Sequence, residues 1–412
     1  MPFGAHISLA CNSATFAAKI NMAYPILRLK PNKEISITRR HPWVFSGALA
    51  QSKEVLKEGD KVQLADFEGN IMATGHFGAG SIAMRILDFA ETQIDPSLYK
   101  RKFENARQLR AQLGLPRTGT TGYRLVHGEG DGLPGLVIDI YDKVAVLQSH
   151  SGGMQRDEKH IRAALKACFG DELEHIVSKS AASKGQDSPE LPEGAPSSTI
   201  FTENGYRFTA NWVSGQKTGF FLDQRDNRQL ISQYAKGKKV LNAFCYTGGF
   251  SVYALGAGAT EVHSLDSSNR ALALVDSNLA LNQMQGLNHR NIAADAIKYL
   301  GGEQAAAEAY DVIVLDPPAF AKHRSARHAA VQAYKRLNAR AFEIASKGSI
   351  VFTFSCSQVV STELFNHTIA AAAMESGRSI RILQQLHQPA DHPVSIYHPE
   401  GEYLKGLVLA VD

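Results

Sequence analysis

The sequence predicts an α/β protein: a C-terminal doubly wound sheet, preceded by a small α/β segment and a β-rich N-terminal module. Three observations predict it. Residues 240–250, VLNAFCYTGGF, run from a short apolar strand into a glycine turn. A helical stretch follows, then a second strand over 261–265 that ends on Asp266. Together these make one βαβ unit. Beyond it, short apolar runs alternate with helical stretches, the pattern of a parallel sheet with right-handed crossovers. Between residues 26 and 90, by contrast, short strands are split by Gly, Asp and Asn, which indicates a small β module.

The chain has 412 residues, 44% hydrophobic and 20% charged, ordinary for a soluble globular protein and long enough for two or three domains. A net charge of +4 is compatible with a nucleic-acid partner without requiring one. Four cysteines, Cys11, Cys168, Cys245 and Cys356, show no CxxC spacing. Neither a structural zinc nor a disulfide framework is indicated, no metal is expected, and a reducing cytoplasm is the expected compartment. No apolar run approaches the roughly 18–20 residues that cross a membrane. Residues 1–24 lack the basic start of a signal peptide and read as an N-terminal extension, with Met22 an alternative start to Met1.

Taken in order, residues 26–37 alternate apolar and polar side chains (ILRLK, EISIT) and predict strand. Arg39, Arg40 and Trp43 follow. Basic side chains beside an aromatic ring suit RNA, although an arginine pair beside a core tryptophan gives the same pattern. The β module ends near Ala90. Residues 96–113 predict one helix, with Leu98, Phe103, Leu109 and Leu113 near helical spacing, stopped by Gly114 and Pro116. The glycine-rich stretch 123–135 fits no calcium loop and reads as hairpin turns. Strands are predicted over 136–140 and 144–148, a helix over 157–168, and a Ser/Pro/Gly-rich linker over 178–198. The boundaries drawn are 1–24, 25–95, 96–200 and 201–412.

Strand character returns over 202–211. The polar run before the βαβ unit has two readings. Lys217, Gln224 and Arg225 contact a ligand or substrate; or Asp223 caps a helix whose solvated face is Arg225, Asp226 and Arg228. Further helices are predicted over 271–282, 296–309 and 334–346. Further strands are predicted over 291–294, 311–315, 349–354, 378–386 and 403–411, the last at an edge.

Asn242, Asp266, Asp295, Asp316 and Cys356 all fall at or near C-terminal strand ends, which line the ligand crevice of an open α/β sheet. The turn lacks the Gly-Lys-Ser/Thr of a phosphate-cradling loop and is not a GxGxxG. A nucleoside without phosphate fits better, with Asp266 on the ribose and Asp295 near the adenine edge. S-adenosylmethionine is such a ligand. Its candidate contacts are Asn242, Phe244, Tyr246, Thr247, Gly248, Asp266, Ser267, Asp295, Ala296, Asp316 and Pro317. Asp316-Pro317-Pro318 after a buried strand makes a rigid loop suited to holding a planar base, with Pro318 on the substrate side. Cys356, on the neighbouring strand, is the candidate nucleophile. A lone cysteine at a strand end is otherwise a small buried hydrophobe, and the Asp-Pro-Pro companion is what favours chemistry.

The motifs that carry a family resemblance are RRHPWVFSGAL (39–49), GDGLPGLVIDIYD (130–142), GQKTGFFLDQRDNR (215–228), LNAFCYTGGF (241–250), DVIVLDPPAF (311–320), FTFSCS (352–357), ADHPV (390–394) and PEGEYLKG (399–406). With them the chain resembles the RlmI family, bacterial large-subunit (23S) ribosomal RNA cytosine-5 methyltransferases, over nearly its whole length after Tyr24. The resemblance implies an N-terminal PUA domain, a small α/β middle domain and a C-terminal Rossmann-like class I methyltransferase domain. It implies S-adenosylmethionine as methyl donor, 23S ribosomal RNA as partner, no membrane, and Cys356 as the residue matching the family nucleophile. A homodimer is compatible with it.

The implied chemistry is covalent. The Cys356 thiolate attacks C6 of cytosine, C5 takes the methyl group, and loss of the C5 proton expels the enzyme, with Asp316 holding N3 or the exocyclic amine. RNA cytosine-5 methyltransferases more broadly carry a second cysteine in a D-x-P-C loop. Here that position is Ala319, so the group that takes the C5 proton is unassigned. Two alternatives stay open. A guanine-N7 methyltransferase shares the FLDxR and DPPxF stretches but lacks the SCS cysteine. A non-catalytic RNA-binding assembly factor would keep only a vestigial crevice, against which Asp266, Asp295 and Cys356 all stand.

Overall fold

The architecture comes from a computed structural model, which describes residues 24–52, 54–179, 191 and 194–412. The N-terminal extension before Tyr24 and the greater part of the predicted linker lie outside the described residues. Five strands form the first sheet: β1 (Ile26–Arg28), β2 (Trp43–Phe45), β3 (Lys61–Ala65), β4 (Ile71–Phe77) and β5 (Ile82–Asp88), in the order β1-β3-β4-β5-β2. The alternation read as one strand over 26–37 splits. Asn32, at φ 63°, turns the chain, and Ile35–Thr38 is a single helical turn that buries only Ile37. A four-residue run is too short for period two to be told from period 3.6.

The helix Pro96–Gln112 starts where its sequence says. Asp95 accepts from the backbone N–H groups of Ser97 (2.8 Å) and Leu98 (3.0 Å), and Pro96 takes the first helical position. Beside it lies a sheet of β6 (Gly122–His127), β7 (Leu136–Tyr141), β8 (Val144–Ser149) and β9 (His175–Ser178), in that order. The first five residues of the glycine-rich stretch are therefore strand, and the turn proper begins after His127. The strand expected over 202–211 is a hairpin of β10 (Ser198–Glu203) and β11 (Tyr206–Asn211). Asn204 (φ 49°) and Gly205 (φ 89°) supply the two left-handed residues its tight turn needs.

The last sheet has seven strands: β12 (Lys239–Ala243), β13 (Glu261–Asp266), β14 (His289–Ala293), β15 (Tyr310–Leu315), β16 (Ala345–Ser355), β17 (Ile380–His387) and β18 (Lys405–Val411). Their order is β14-β13-β12-β15-β16-β18-β17; the first five are parallel and β18 runs antiparallel to both neighbours. Strand order reverses between β12 and β15, so the ligand crevice opens over their carboxyl ends. Val312, Ile313, Val314 and Leu315 are at most 1% exposed, each contributing about 1.5–3 kcal/mol of burial. The strand expected at the edge, β18, is interior, because its side chains are apolar on both faces; β17, largely exposed, is the edge. The helix expected over 296–309 is two short ones, Ala296–Leu300 and Glu303–Ala307, broken at Gly301-Gly302.

Buried ion pairs join these sheets. Asp157 (4% exposed) lies 3.0 Å from His76 Nε2 and 3.0 Å from Lys61 Nζ on the first sheet, and accepts from the Tyr99 hydroxyl (2.8 Å). Asp391, fully buried, takes both guanidinium nitrogens of Arg225 (2.8 and 2.9 Å) and the backbone N–H of Arg124 on β6 (3.0 Å). Burial alone would raise the Asp391 carboxyl, but His392 and Arg225 overcome it and hold it well below the usual range. Asp391→Ala leaves buried Arg225 only the exposed Asp226 carboxylate (3.3 Å) as a charged partner, so stability should fall by about 3–5 kcal/mol in urea unfolding; a change under about 1 kcal/mol would show that water reaches the site.

Candidate active site

The crevice is built from strand ends. After β12 the chain passes repeatedly through left-handed backbone, at Phe244 (φ 59°), Tyr246 (φ 47°) and Gly248 (φ 76°). A Cβ on Gly248 would stand 2.7 Å from Val275 Cγ1, so only glycine lets the turn lie this close to the helix Asn269–Leu281. The two non-glycine residues carry strain, which neighbouring bonds sustain. The Tyr246 backbone N–H donates to Asp266 Oδ2 (3.1 Å), the Ser268 N–H to Oδ1 (2.9 Å), and the Cys245 N–H to the Leu265 carbonyl (3.1 Å).

Asp266 ends β13 half-buried, with each carboxylate oxygen oriented by one backbone donor and a lone pair left on each. Asn242, 1% exposed, donates through Nδ2 to Ser251 Oγ (2.9 Å), while its Oδ1 is buried without a partner. Asp295, two residues past β14, is exposed and accepts from the Lys298 N–H (2.9 Å). Thr247, Ala296 and Pro317 are buried, and Ser267 is exposed. Cys245 is packed behind the turn, where burial and then Asp266 push its thiol well above the usual range.

Asp316 and Cys356 follow the ends of two adjacent parallel strands, β15 and β16, in which Leu315 pairs with Thr353. Both are partly exposed to the crevice. Burial, then the nearby Asp223 carboxylate, push the Asp316 carboxyl up to about 7, against the opposing Gln224 amide and Lys217. Gln224 Nε2 donates to Asp316 Oδ1 (3.0 Å), and its own Oε1 accepts from Asn227 Nδ2 (2.6 Å). Burial and the Asp316 charge raise the Cys356 thiol, with Lys217 pulling the other way. Ser357 Oγ donates to the Ala321 carbonyl (2.7 Å), which pins the Asp-Pro-Pro loop to the turn that carries Cys356.

Several expectations for the flanking residues are corrected. Asp223 caps nothing: it accepts from the Tyr403 hydroxyl (2.6 Å) and pairs with Lys217 Nζ (3.0 Å). Arg225 and Arg228 are not a solvated face. They are 4% and 3% exposed, paired with Asp391 and Glu203, so Arg225 is closed to RNA. Gln224, 3% exposed, orients Asp316 and does not face an RNA surface. Trp43 is half-buried between sheets, its Nε1 donating to Glu129 (2.9 Å) and its ring 4.3 Å from that of His398. Arg39 and Arg40 are exposed, and Lys217 is half-exposed at the crevice mouth. Two residues that strand-end reasoning missed are Tyr403 and Lys405. Lys405 Nζ donates to the Ser357 and Val360 carbonyls (2.7 Å each), bracing the Cys356 turn, and burial brings its ammonium down to about 8. The signal was the PEGEYLKG stretch: β18 is antiparallel, so its first residue, Lys405, pairs with Ser355 at the end of β16.

With that geometry in hand, comparisons with known proteins identify the chain's relatives. Residues 165–402 match the family described as S-adenosylmethionine-dependent methyltransferase, and residues 27–89 match a PUA-like domain. Among curated proteins, the chain is 40% identical to ribosomal RNA large subunit methyltransferase I of Pseudoalteromonas atlantica, over 93% of this chain and 98% of that one. It is 37% identical to the protein of the same name from Klebsiella pneumoniae, over 94% and 98%. Among solved structures, an S-adenosylmethionine-dependent methyltransferase from Streptococcus mutans superposes with a TM-score of 0.81 at 22% identity, covering 94% of this chain and all of that one. A methyltransferase complexed with SAH superposes with a TM-score of 0.80 at 23% identity, covering 95% and 100%. These two show the shared fold. The chain therefore belongs to the S-adenosylmethionine-dependent methyltransferases, in the family of the ribosomal RNA large subunit methyltransferase I proteins.

Proposed function

We propose that this enzyme methylates C5 of a cytosine in large-subunit ribosomal RNA, through a transient bond between Cys356 and C6 of the base. The observation that carries the reading is the pairing of Cys356 with Asp316 at the ends of adjacent strands, where one flat base can meet both. A carboxyl held near 7 is partly protonated at neutral pH, and the protonated form donates to cytosine N3. That withdraws electron density from C6 and removes the negative charge that keeps the neighbouring thiol protonated. The Cys356 thiolate then adds to C6, C5 accepts the methyl group, and loss of the C5 proton restores the double bond and releases sulfur. The base reaches the crevice unstacked. The name shared by the curated relatives supports the RNA substrate.

The residues present fit the methyl donor. Asp266, preset by two backbone donors, would take the ribose hydroxyls; the orphaned Asn242 Oδ1 and the close approach allowed by Gly248 complete the cradle. When bound, S-adenosylmethionine supplies an electrophilic methyl group. Asp266→Ala should weaken its binding by about ten- to a hundredfold in calorimetry, while Asp266→Asn, which keeps one acceptor, weakens it less. Unchanged affinity in both would remove Asp266 from the site. The function itself is tested by mapping 5-methylcytosine in the 23S rRNA of cells with and without this protein. One site should disappear with it, and an identical map would overturn the reading.

A further inference from the structure

We propose that the catalytic domain carries its own RNA-backbone surface: a basic rim of Lys322, Arg324 and Arg327, flanked by His323 and His328, that holds the phosphates of the strand entering the crevice. The proposal rests on the ribosomal RNA reading above. Its first support is sequence. Residues 317–342 contain six Lys and Arg and no Asp or Glu, in a chain whose net charge is only +4. Further along, Lys335 is paired with Glu375 (2.7 Å) and Arg340 with Glu343 (2.6 Å). Lys322, Arg324 and Arg327 are exposed, and among the described residues none has a carboxylate within 4.0 Å.

The second support is position. The run leaves directly from the Asp316-Pro317-Pro318 loop. Its base is fixed by the Ser357–Ala321 bond and by the Phe320 ring, 4.7 Å from that of buried Tyr334. It then enters the helix Arg327–Ile344, whose start lies beside that of the helix Thr362–Ser376, the one that follows the Cys356 turn. Between them is an open groove of about 450 Å³, lined by Arg327, His328, Ser361 and His367 on its polar side, with Glu363 the one acid in the lining. A cation in the first turn of a helix opposes the helix dipole. Folding gains nothing from Arg327 there, whereas a polyanion does.

Charge decides the occupant. A base held at Asp316 and Cys356 has phosphates on either side, and fixed cations strung along one rim of the pocket match that repeat without reading sequence. The test is equilibrium binding of an rRNA fragment against salt concentration, for the wild type and for Lys322→Gln/Arg324→Gln/Arg327→Gln. Each lost phosphate contact on a single strand flattens the log–log slope by about 0.7. The triple variant should therefore lose about 2 from the slope and at least tenfold in affinity near 0.15 M salt, with cofactor affinity reporting an intact crevice. Lys322→Arg/Arg324→Lys/Arg327→Lys should keep the wild-type slope. Equal slopes for the wild type and the glutamine variant would overturn the proposal. The two failures are separable: absence of methyl transfer to rRNA by the wild type counts against the activity, while the difference in slope tests the surface alone.

Discussion

Cys356→Ala is expected to abolish methyl transfer, with a loss of roughly four orders of magnitude or more, while S-adenosylmethionine and RNA still bind. This is the largest effect expected of any single substitution. The thiol is the nucleophile in the proposed cycle, and among the described residues no second cysteine can replace it: Cys245 faces the packing behind the glycine turn, and Cys168 lies on the helix Glu158–Phe169 of the middle sheet. Cys245→Ala is accordingly expected to keep turnover within a few-fold, measured by radiolabelled methyl incorporation. Substantial methylation by Cys356→Ala would return the guanine-N7 reading, which needs no nucleophilic cysteine, to first place.

Asp316→Asn is expected to lower kcat by about a hundred- to a thousandfold, because the amide cannot supply the acidic proton to the base. Three further results separate this from simple damage. Wild-type activity should follow a bell in pH: the active pair, protonated Asp316 with Cys356 thiolate, carries one proton in all, so activity falls below about 7, where both groups are protonated, and falls again at alkaline pH, once the raised thiol has also lost its proton. In the variant the Asp316 charge is gone, so alkylation of Cys356 by iodoacetamide should set in at lower pH than in the wild type. Stability moves in the opposite direction to activity. A carboxyl raised in the folded state favours folding fully only below its unfolded value, near 4, and that contribution is lost as pH rises through about 7. At pH 8 the variant should therefore be the more stable protein, by roughly 1–2 kcal/mol once solvent screening at the crevice is allowed for. A less stable variant with an unchanged alkylation profile would count against a protonated Asp316.

The sequence was most legible where a long pattern met a chemical type. The alternation after β12, and the polar residues at the ends of β12 to β16, follow from the rule that parallel strands bring their carboxyl ends to one side. What it hid depended on contacts distant in the chain. Nothing local says that Arg225 is buried, since its partner Asp391 lies 166 residues away. Nothing local distinguishes Asp223 as a helix cap from Asp223 as the acceptor of the Tyr403 hydroxyl. Lys405 escaped because it starts its strand instead of ending it, and only the antiparallel pairing with β16 brings it to Cys356. Trp43 illustrates the same limit: beside two arginines it reads as an RNA contact, yet its ring and indole N–H join the first sheet to Glu129 and His398.

The covalent step is tested most directly by trapping it. RNA carrying 5-fluorocytosine at the target position allows addition to C6 and methylation of C5 but offers no proton for the final elimination, so sulfur stays bonded. Wild-type enzyme with S-adenosylmethionine should form a stable protein–RNA adduct. Mass spectrometry of its peptides should place the RNA on Cys356, and Cys356→Ala should form none. An adduct on another residue, or trapping that persists in Cys356→Ala, would contradict the assignment.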